Sequence, residues 1–461
     1  MLARSFERAH LAGNPAARTE LTRVFRVYTG CALALLLLVG VTPNSRTPAV
    51  GDVPPTFTPE MTPAPSPTAL VTALPPPISR PEDAHGILWT TSPIQAPAFH
   101  PPAPPPAQWL ASSDYFSVPC SVHARRVFVP VVVAGKAKTF VLGSAAPFST
   151  IDPATSAPSP NDPIMLRTVQ IGDLRFNDVV VSVGPVDAFA QTYLGAPADG
   201  VLGQELFERF PVRIDFAGCS VTIYRDSAAA KADAARVDAT KQQAVALRMT
   251  GRLPTIEAKV SSTNTVLAID TASDADVDVS QQFVTATGLA FSSQAVPELR
   301  RALPDGELSG RTARASSLSI GPLSLDAPLL GIMSGPARLP AGVAGFLGDG
   351  ILDSFVVLID EQASLCVLTP QPPRAQPYDR SGLWLVQRQN GIAVKSVLPG
   401  SPAGVAGMRA GDHIVAVNGQ AVPDLDATRA LFLQPAGTTL VVTYLRGGAR
   451  HSVSLGLKTL I

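Results

Sequence analysis

The chain repeats itself. Gly200-Val201-Leu202-Gly203, followed after six residues by Phe210-Pro211-Val212-Arg213-Ile214-Asp215, recurs as Gly345-Phe346-Leu347-Gly348, followed at the same interval by Phe355-Val356-Val357-Leu358-Ile359-Asp360. Leu-Gly, Phe, Val and Ile-Asp stand at identical spacing in both copies. Two further matches keep the same order. Thr139-Phe140-Val141-Leu142-Gly143-Ser144-Ala145 aligns with Val266-Leu267-Ala268-Ile269-Asp270-Thr271-Ala272, a strand running into a short polar turn. Val169-Gln170-Ile171-Gly172-Asp173-Leu174 aligns with Leu318-Ser319-Ile320-Gly321-Pro322-Leu323, the edge of a hairpin. Repetition of this kind constrains the fold more than any composition figure, because both copies must settle into one supersecondary plan. Residues 117–224 and 246–368 read as short β-branched runs broken by Gly, Pro, Asn and Asp, so that plan is built of strands.

The 461 residues leave room for more than the two copies. Hydrophobic residues make up 46% and charged residues 16%, which supplies ample core. Lys plus Arg and Asp plus Glu are 36 each, so there is no net field to draw the chain onto nucleic acid. Residues 1–42 carry Arg4, Arg8, Arg18, Arg23 and Arg26 ahead of an apolar run over 28–41, the order of an export signal. That run is shorter than the roughly 20 residues that span a bilayer, and no clean Ala-x-Ala site follows. A cleaved signal peptide and a retained membrane anchor both fit it, and either places the rest of the chain outside the cytoplasm. Residues 43–110 are dominated by Pro, Thr, Ala and Ser and are expected to form a disordered, extended linker. Beyond Cys31, the odd set Cys120, Cys219 and Cys366 allows at most one internal bridge and leaves one thiol.

The repeated segments resemble the aspartic proteases of the pepsin and retropepsin type, over most of residues 117–370. That family has two similar β lobes, each with an Asp-Thr/Ser-Gly turn, a hairpin flap and a hydrophobic-hydrophobic-Gly support. The resemblance implies a mainly β fold of two barrel-like lobes, the first over 111–230 and the second over 245–370. Asp270-Thr271-Ala272 looks like one catalytic turn, and Val201-Leu202-Gly203 and Phe346-Leu347-Gly348 look like the two supports. The first-lobe turn reads Gly143-Ser144-Ala145, without a carboxylate. Ser144 and Thr271 keep the hydroxyls that in the family hydrogen-bond across the lobe interface, while Ala145 and Ala272 stand where it has Gly.

Peptide hydrolysis by two carboxylates needs them close enough to share a proton, one as base on a water and the other as acid on the carbonyl. The resemblance therefore implies a peptide-binding but catalytically impaired body. Two routes to an active aspartic endopeptidase stand beside it: another carboxylate, Asp152 or Asp199, reaching the cleft, or a homodimer whose second lobes bring two copies of Asp270 together. Asp215 and Asp360, each ending a strand before a turn, read as structural. The six histidines show no metal-ligand spacing, so neither metal nor cofactor is expected, and no Gly-x-Ser-x-Gly supplies a serine nucleophile.

After a short Pro-rich break, residues 380–461 begin a further module. The run from Val397 through Pro399-Gly400-Ser401-Pro402-Ala403-Gly404 and Gly411-Asp412-His413-Ile414-Val415-Ala416-Val417-Asn418-Gly419 resembles a bacterial-type PDZ domain, a small α/β fold. PDZ modules add an extended peptide to a sheet edge and hold its terminal carboxylate in a backbone loop. By resemblance the loop is Gly382-Leu383-Trp384-Leu385 and the groove helix spans about 426–433, with Leu431 and Leu433 read as core. Trp384, where a small residue is common, implies a narrowed groove. The expected partners are extended peptides or protein C-termini, with the membrane reached through the N-terminal segment. A structural cell-envelope role is the third alternative.

Overall fold

A computed structural model describes residues 104–156, 163–236, 242–293, 296–303, 306–334, 339–372 and 378–461. The export segment and nearly all of the linker lie outside these residues. Among the described residues no helix is long and apolar enough to cross a membrane.

The first lobe consists of β1 (Ala107–Trp109), β2 (Tyr115–Pro119), β3 (Ser121–His123), β4 (Arg126–Val133), β5 (Lys136–Leu142), β6 (Thr150–Ile151), β7 (Ile164–Ile171), β8 (Leu174–Val183), β9 (Gly200–Leu202), β10 (Val212–Asp215) and β11 (Ser220–Tyr224). The second consists of β12 (Gln243–Thr250), β13 (Leu253–Val260), β14 (Thr263–Asp270), β15 (Val277–Ser280), β16 (Val296–Leu303), β17 (Gly306–Arg314), β18 (Ser317–Ile320), β19 (Leu323–Asp326), β20 (Leu329–Met333), β21 (Gly345–Gly348), β22 (Phe355–Asp360) and β23 (Leu365–Pro370). β4 and β13 bury their residues in the same alternation, so one face of each meets the core while the other turns outward.

The duplication is also topological. In the first lobe β9 runs parallel to β5, with Leu142 opposite Leu202, and antiparallel to β6, with Ile151 opposite Gly200. In the second, β21 runs parallel to β14, with Ile269 opposite Leu347, and antiparallel to β15, with Val279 opposite Gly345. Gly203 and Gly348 end these supports against backbone of the adjacent turn. A Cβ on Gly203 would lie 2.6 Å from the Ala146 carbonyl oxygen, and one on Gly348 2.6 Å from that of Ala275. Glycine is therefore required at both places by close packing.

The lobes are not merely apposed. β10 pairs antiparallel with β22, setting Val212 against Ile359 and Ile214 against Val357, so equivalent residues of the two copies exchange places about a local two-fold. The ladder β12-β23-β22-β10-β11-β2 runs across both lobes, and one hydrophobic core extends through them. Fully burying each of its Val, Leu and Ile side chains contributes about 1.5–3 kcal/mol. Cys120 and Cys219 form a disulfide tying the end of β2 to the β10–β11 turn, which leaves Cys366 buried and free in β23.

The folded body begins ahead of residue 111, inside the segment expected to be linker. β1 pairs with β8, and the Trp109 ring lies 5.1 Å from Phe116 and 6.0 Å from Phe210. Strand pairing and this aromatic contact together dock the end of the Pro-rich run. β12 likewise starts at Gln243, ahead of 245.

The C-terminal unit has its own core, including Leu385, Ile392, Ile414, Phe432, Leu440 and Leu455. It comprises β24 (Leu383–Arg388), β25 (Gly391–Val397), β26 (His413–Val417), β27 (Gln420–Ala421), β28 (Thr439–Arg446), β29 (Ala449–Gly456) and the helix Leu425–Phe432. β24 ends the sheet, so among the described residues one of its edges has no strand partner.

Candidate functional site at the lobe seam and the PDZ groove

β5 and β14 deliver their turns to the same point. The Ser144 hydroxyl donates to the Ile269 carbonyl (2.7 Å) and accepts from the Thr271 N–H (3.2 Å). The Thr271 hydroxyl donates to the Leu142 carbonyl (2.9 Å) and accepts from the Ser144 N–H (3.0 Å). Ser144 and Thr271 are fully buried, and these four bonds form a two-fold cross that fixes each turn to the other. The cross sets Gly143 against the second-lobe turn: a Cβ on Gly143 would lie 3.5 Å from that of Ala272. Since Leu142 and Ile269 occupy equivalent places in the two ladders, Gly143 is the counterpart of Asp270.

Asp270 is half-buried and accepts a hydrogen bond from the Ala272 N–H (3.0 Å). Burial raises its pKa above the usual carboxylate value, opposed by that hydrogen bond and by the Arg126 guanidinium. Arg126 comes from the first lobe, where it opens β4; it donates to the Ala272 carbonyl and pairs with Asp274 at 3.4 Å. Its neighbour Arg125 donates to the Gly350 carbonyl (3.1 Å) and pairs with Asp353 at 3.7 Å.

Asp349, one residue past the second support, is completely buried, and among the described residues neither carboxylate oxygen has a hydrogen-bond partner. Burial first, and the nearby Asp270 charge second, push its pKa well above the ordinary value. Both influences disfavour the ionised form. The first-lobe counterpart is Gln204, whose amide donates to the Ser144 carbonyl (2.6 Å) and to Glu361 (2.9 Å). Each support is thus followed by a buried polar side chain behind the turn. Carrying the sequence repeat one residue further pairs Gln204 with Asp349 and would have exposed this position.

The other carboxylates are engaged elsewhere. Asp152 accepts from the N–H groups of Ala154 and Asp187, and Asp199 binds Lys138 (2.8 Å) and the Thr139 N–H. Neither reaches the Gly143 turn through these contacts. Asp215 closes its own turn through the Gly218 N–H, and Asp360 does so through the Ala363 N–H. Among the described residues no group of three or more His, Cys, Asp or Glu has the arrangement to hold a metal ion. The seam therefore offers two partly exposed carboxylates, Asp270 and the Arg126-paired Asp274, with the buried Asp349 near Asp270 and backbone at the Gly143 position.

In the C-terminal unit, Gly382 adopts φ +78° immediately ahead of β24, so Leu383, Trp384 and Leu385 of the expected loop lie in the strand, while Asp379 accepts from the N–H groups of Ser381, Gly382 and Leu383. Burial pushes the Asp379 pKa up to about 6 against those bonds. Leu431 packs against the unit's own core. Trp384 turns away from it and stacks on Tyr193 of the first lobe, with ring centroids 5.8 Å apart at 25°. No local sequence signal marks Tyr193 for that contact.

A family model described as a PDZ domain matches residues 393–446, and the C-terminal unit is a PDZ domain. A relative from Haemophilus influenzae, "Probable periplasmic serine protease do/HhoA-like", is 42% identical over 74 residues, 16% of each chain. The chain thus spans about a sixth of the length of the curated relatives it matches. Among solved structures it is similar to an aspartic proteinase from Irpex lacteus, with 12% identity and a TM-score of 0.35 over 56% of this chain and 97% of that one. It is also similar to a retropepsin-like aspartic protease from Rickettsia conorii, with 17% identity and a TM-score of 0.21 over 28% and 89%. The fold class is mainly β, with a barrel-like body ahead of the PDZ domain.

Proposed function

We propose that this is an exported protein whose aspartic-protease-like body holds extended polypeptide without cutting it, and whose PDZ domain captures protein C-termini. The observation that carries this reading is the pairing of Asp270 with Gly143 across the Ser144–Thr271 cross. A dyad mechanism needs two adjacent carboxylates that share a proton, one as base on the water and the other as acid on the scissile carbonyl, and glycine can supply neither. Export is supported by the positive-then-apolar N-terminus and by the periplasmic relatives that share the PDZ segment. Association with a membrane through residues 1–42 belongs to the same reading.

A second reading, an active aspartic endopeptidase, draws on Asp349 as an unpartnered acid close behind Asp270. The homodimeric route to activity requires β10 and β22 to part, which exposes two strand edges. One assay separates the readings: unfolded casein incubated with the protein from pH 3 to 7, beside Asp270→Ala and Gly143→Asp. The proposal expects no cleavage by the wild type. Cleavage that disappears with Asp270→Ala would overturn it. Gly143→Asp is expected to gain cleavage, because its backbone is outside the left-handed region and no backbone atom crowds a new Cβ; the Val201 methyl, at 2.9 Å, has to shift to admit it.

A further inference from the structure

In the PDZ groove, the edge of β24 and the helix Leu425–Phe432 form the two walls. A segment of the first lobe between β8 and β9 touches both. It forms a helical turn over Val186–Phe189, continues through Ala190–Leu194 and ends at Gly195 with φ +74°. Tyr193 stacks on Trp384 of the strand wall, and Phe189 lies 5.6 Å behind Tyr193. At the helix wall, Gly195 packs so closely that a Cβ on it would lie 3.0 Å from that of Leu425, which is fully buried. The helix is also held from the first lobe, where the Ala124 N–H donates to both Asp426 oxygens at 3.2 Å.

One acceptor on the hydrogen-bonding edge of the groove is engaged as well. Arg388 faces Gly391 across a two-residue hairpin, so alternate residues turn their backbone groups inward at Val386 and outward at Leu385. The outward Leu385 carbonyl is where an added peptide strand would donate. It accepts instead from the Arg429 guanidinium (2.9 Å), reaching over from the helix wall.

We propose that the PDZ groove is occupied in cis: residues 186–195 of the first lobe cover it, and a free C-terminus binds by displacing them. This rests on the reading of the groove as a C-terminal peptide site and adds its resident competitor. Apparent affinity for an outside peptide is then the intrinsic affinity reduced by the fraction of molecules in which the cover is open. Tyr193→Ala removes an aromatic stack worth a few-fold to tenfold in that equilibrium, so peptide affinity should tighten by roughly three- to tenfold.

The test uses the full chain and a fluorescein-labelled pool of heptapeptides ending in free Val or Leu carboxylate, with the C-terminal amide pool as blank. Anisotropy titrations compare wild type, Tyr193→Ala and Tyr193→Phe, with circular dichroism to establish that each is folded. Tighter binding by Tyr193→Ala, wild-type affinity in Tyr193→Phe and faster proteolytic nicking within 186–195 when peptide is added support the proposal. Equal affinity in all three overturns it and leaves the PDZ reading standing. Binding by none of them, in folded protein, overturns both.

Discussion

Thr271→Val tests the seam where its energetics are most exposed. The substitution keeps the shape of the side chain and replaces its hydroxyl with a methyl, so packing changes little. It strips the Leu142 carbonyl of a donor and the Ser144 N–H of an acceptor, at 2.9 and 3.0 Å, in a region with no access to water. Each buried group left unpaired costs about 1–3 kcal/mol, so the variant should lose about 2–6 kcal/mol of stability. Ser144→Ala orphans the Ile269 carbonyl and the Thr271 N–H by the same geometry and should lose a similar amount. Urea unfolding followed by circular dichroism reads both, with Ser182→Ala as comparison. The Ser182 hydroxyl bonds Thr150 at 2.8 Å and the Ser149 carbonyl at 3.2 Å, both within one lobe and part-buried, where each bond contributes about 0.5–1.5 kcal/mol and water can replace it. Losses below about 1 kcal/mol for Thr271→Val, or a Ser144→Ala effect no larger than that of Ser182→Ala, would refute the claim that the hydroxyl cross holds the turns together.

Two further outcomes are expected. Asp349 and Asp270 bind protons more tightly folded than unfolded, so their contribution is fully present in acid below the ordinary carboxylate pKa and is lost as pH rises through the raised folded-state values. The slope is about 1.4 kcal/mol per pH unit for each such group. Asp349→Asn removes one of them, so urea midpoints from pH 4 to 8 should fall less steeply than in wild type, and an unchanged slope would count against a protonated Asp349. Replacing Cys120 and Cys219 by Ser opens a loop with a sequence separation of 99, for which chain entropy gives about 4–5 kcal/mol. The same loss should appear on reduction of the wild type, measured by urea unfolding with and without dithiothreitol.

What the sequence disclosed follows from where its constraints are local. The supports were readable because Gly203 and Gly348 admit no side chain, and both copies kept the same spacing to the strands that follow. The hydroxyl cross was legible through Ser144 and Thr271 because each must sit immediately after the position it anchors. Asp349 was not, since its copy is Gln204 and identity broke at that residue. Arg125 and Arg126 were hidden for another reason. Their hairpin places Ala124 and Arg125 at φ 47° and 68° without the Asn-Gly that usually announces such a turn, and contacts from the other lobe and the PDZ helix hold it there. The contacts that matter here, Tyr193 with Trp384 and Arg429 with the Leu385 carbonyl, join residues more than 40 apart in the chain, and no spacing rule reaches that far. Trp109 was masked by the prolines around it.

The strands that the halves lend to one another also limit how this protein can be taken apart. Dividing the gene between β11 and β12 would give two fragments, each ending in a bare ribbon where β10 and β22 had met, with apolar residues such as Ile214 and Ile359 beside the opened edge. Such fragments should cling to one another or to themselves and be recovered as insoluble material when made singly. Co-expression, by returning the missing ribbon, should restore soluble protein.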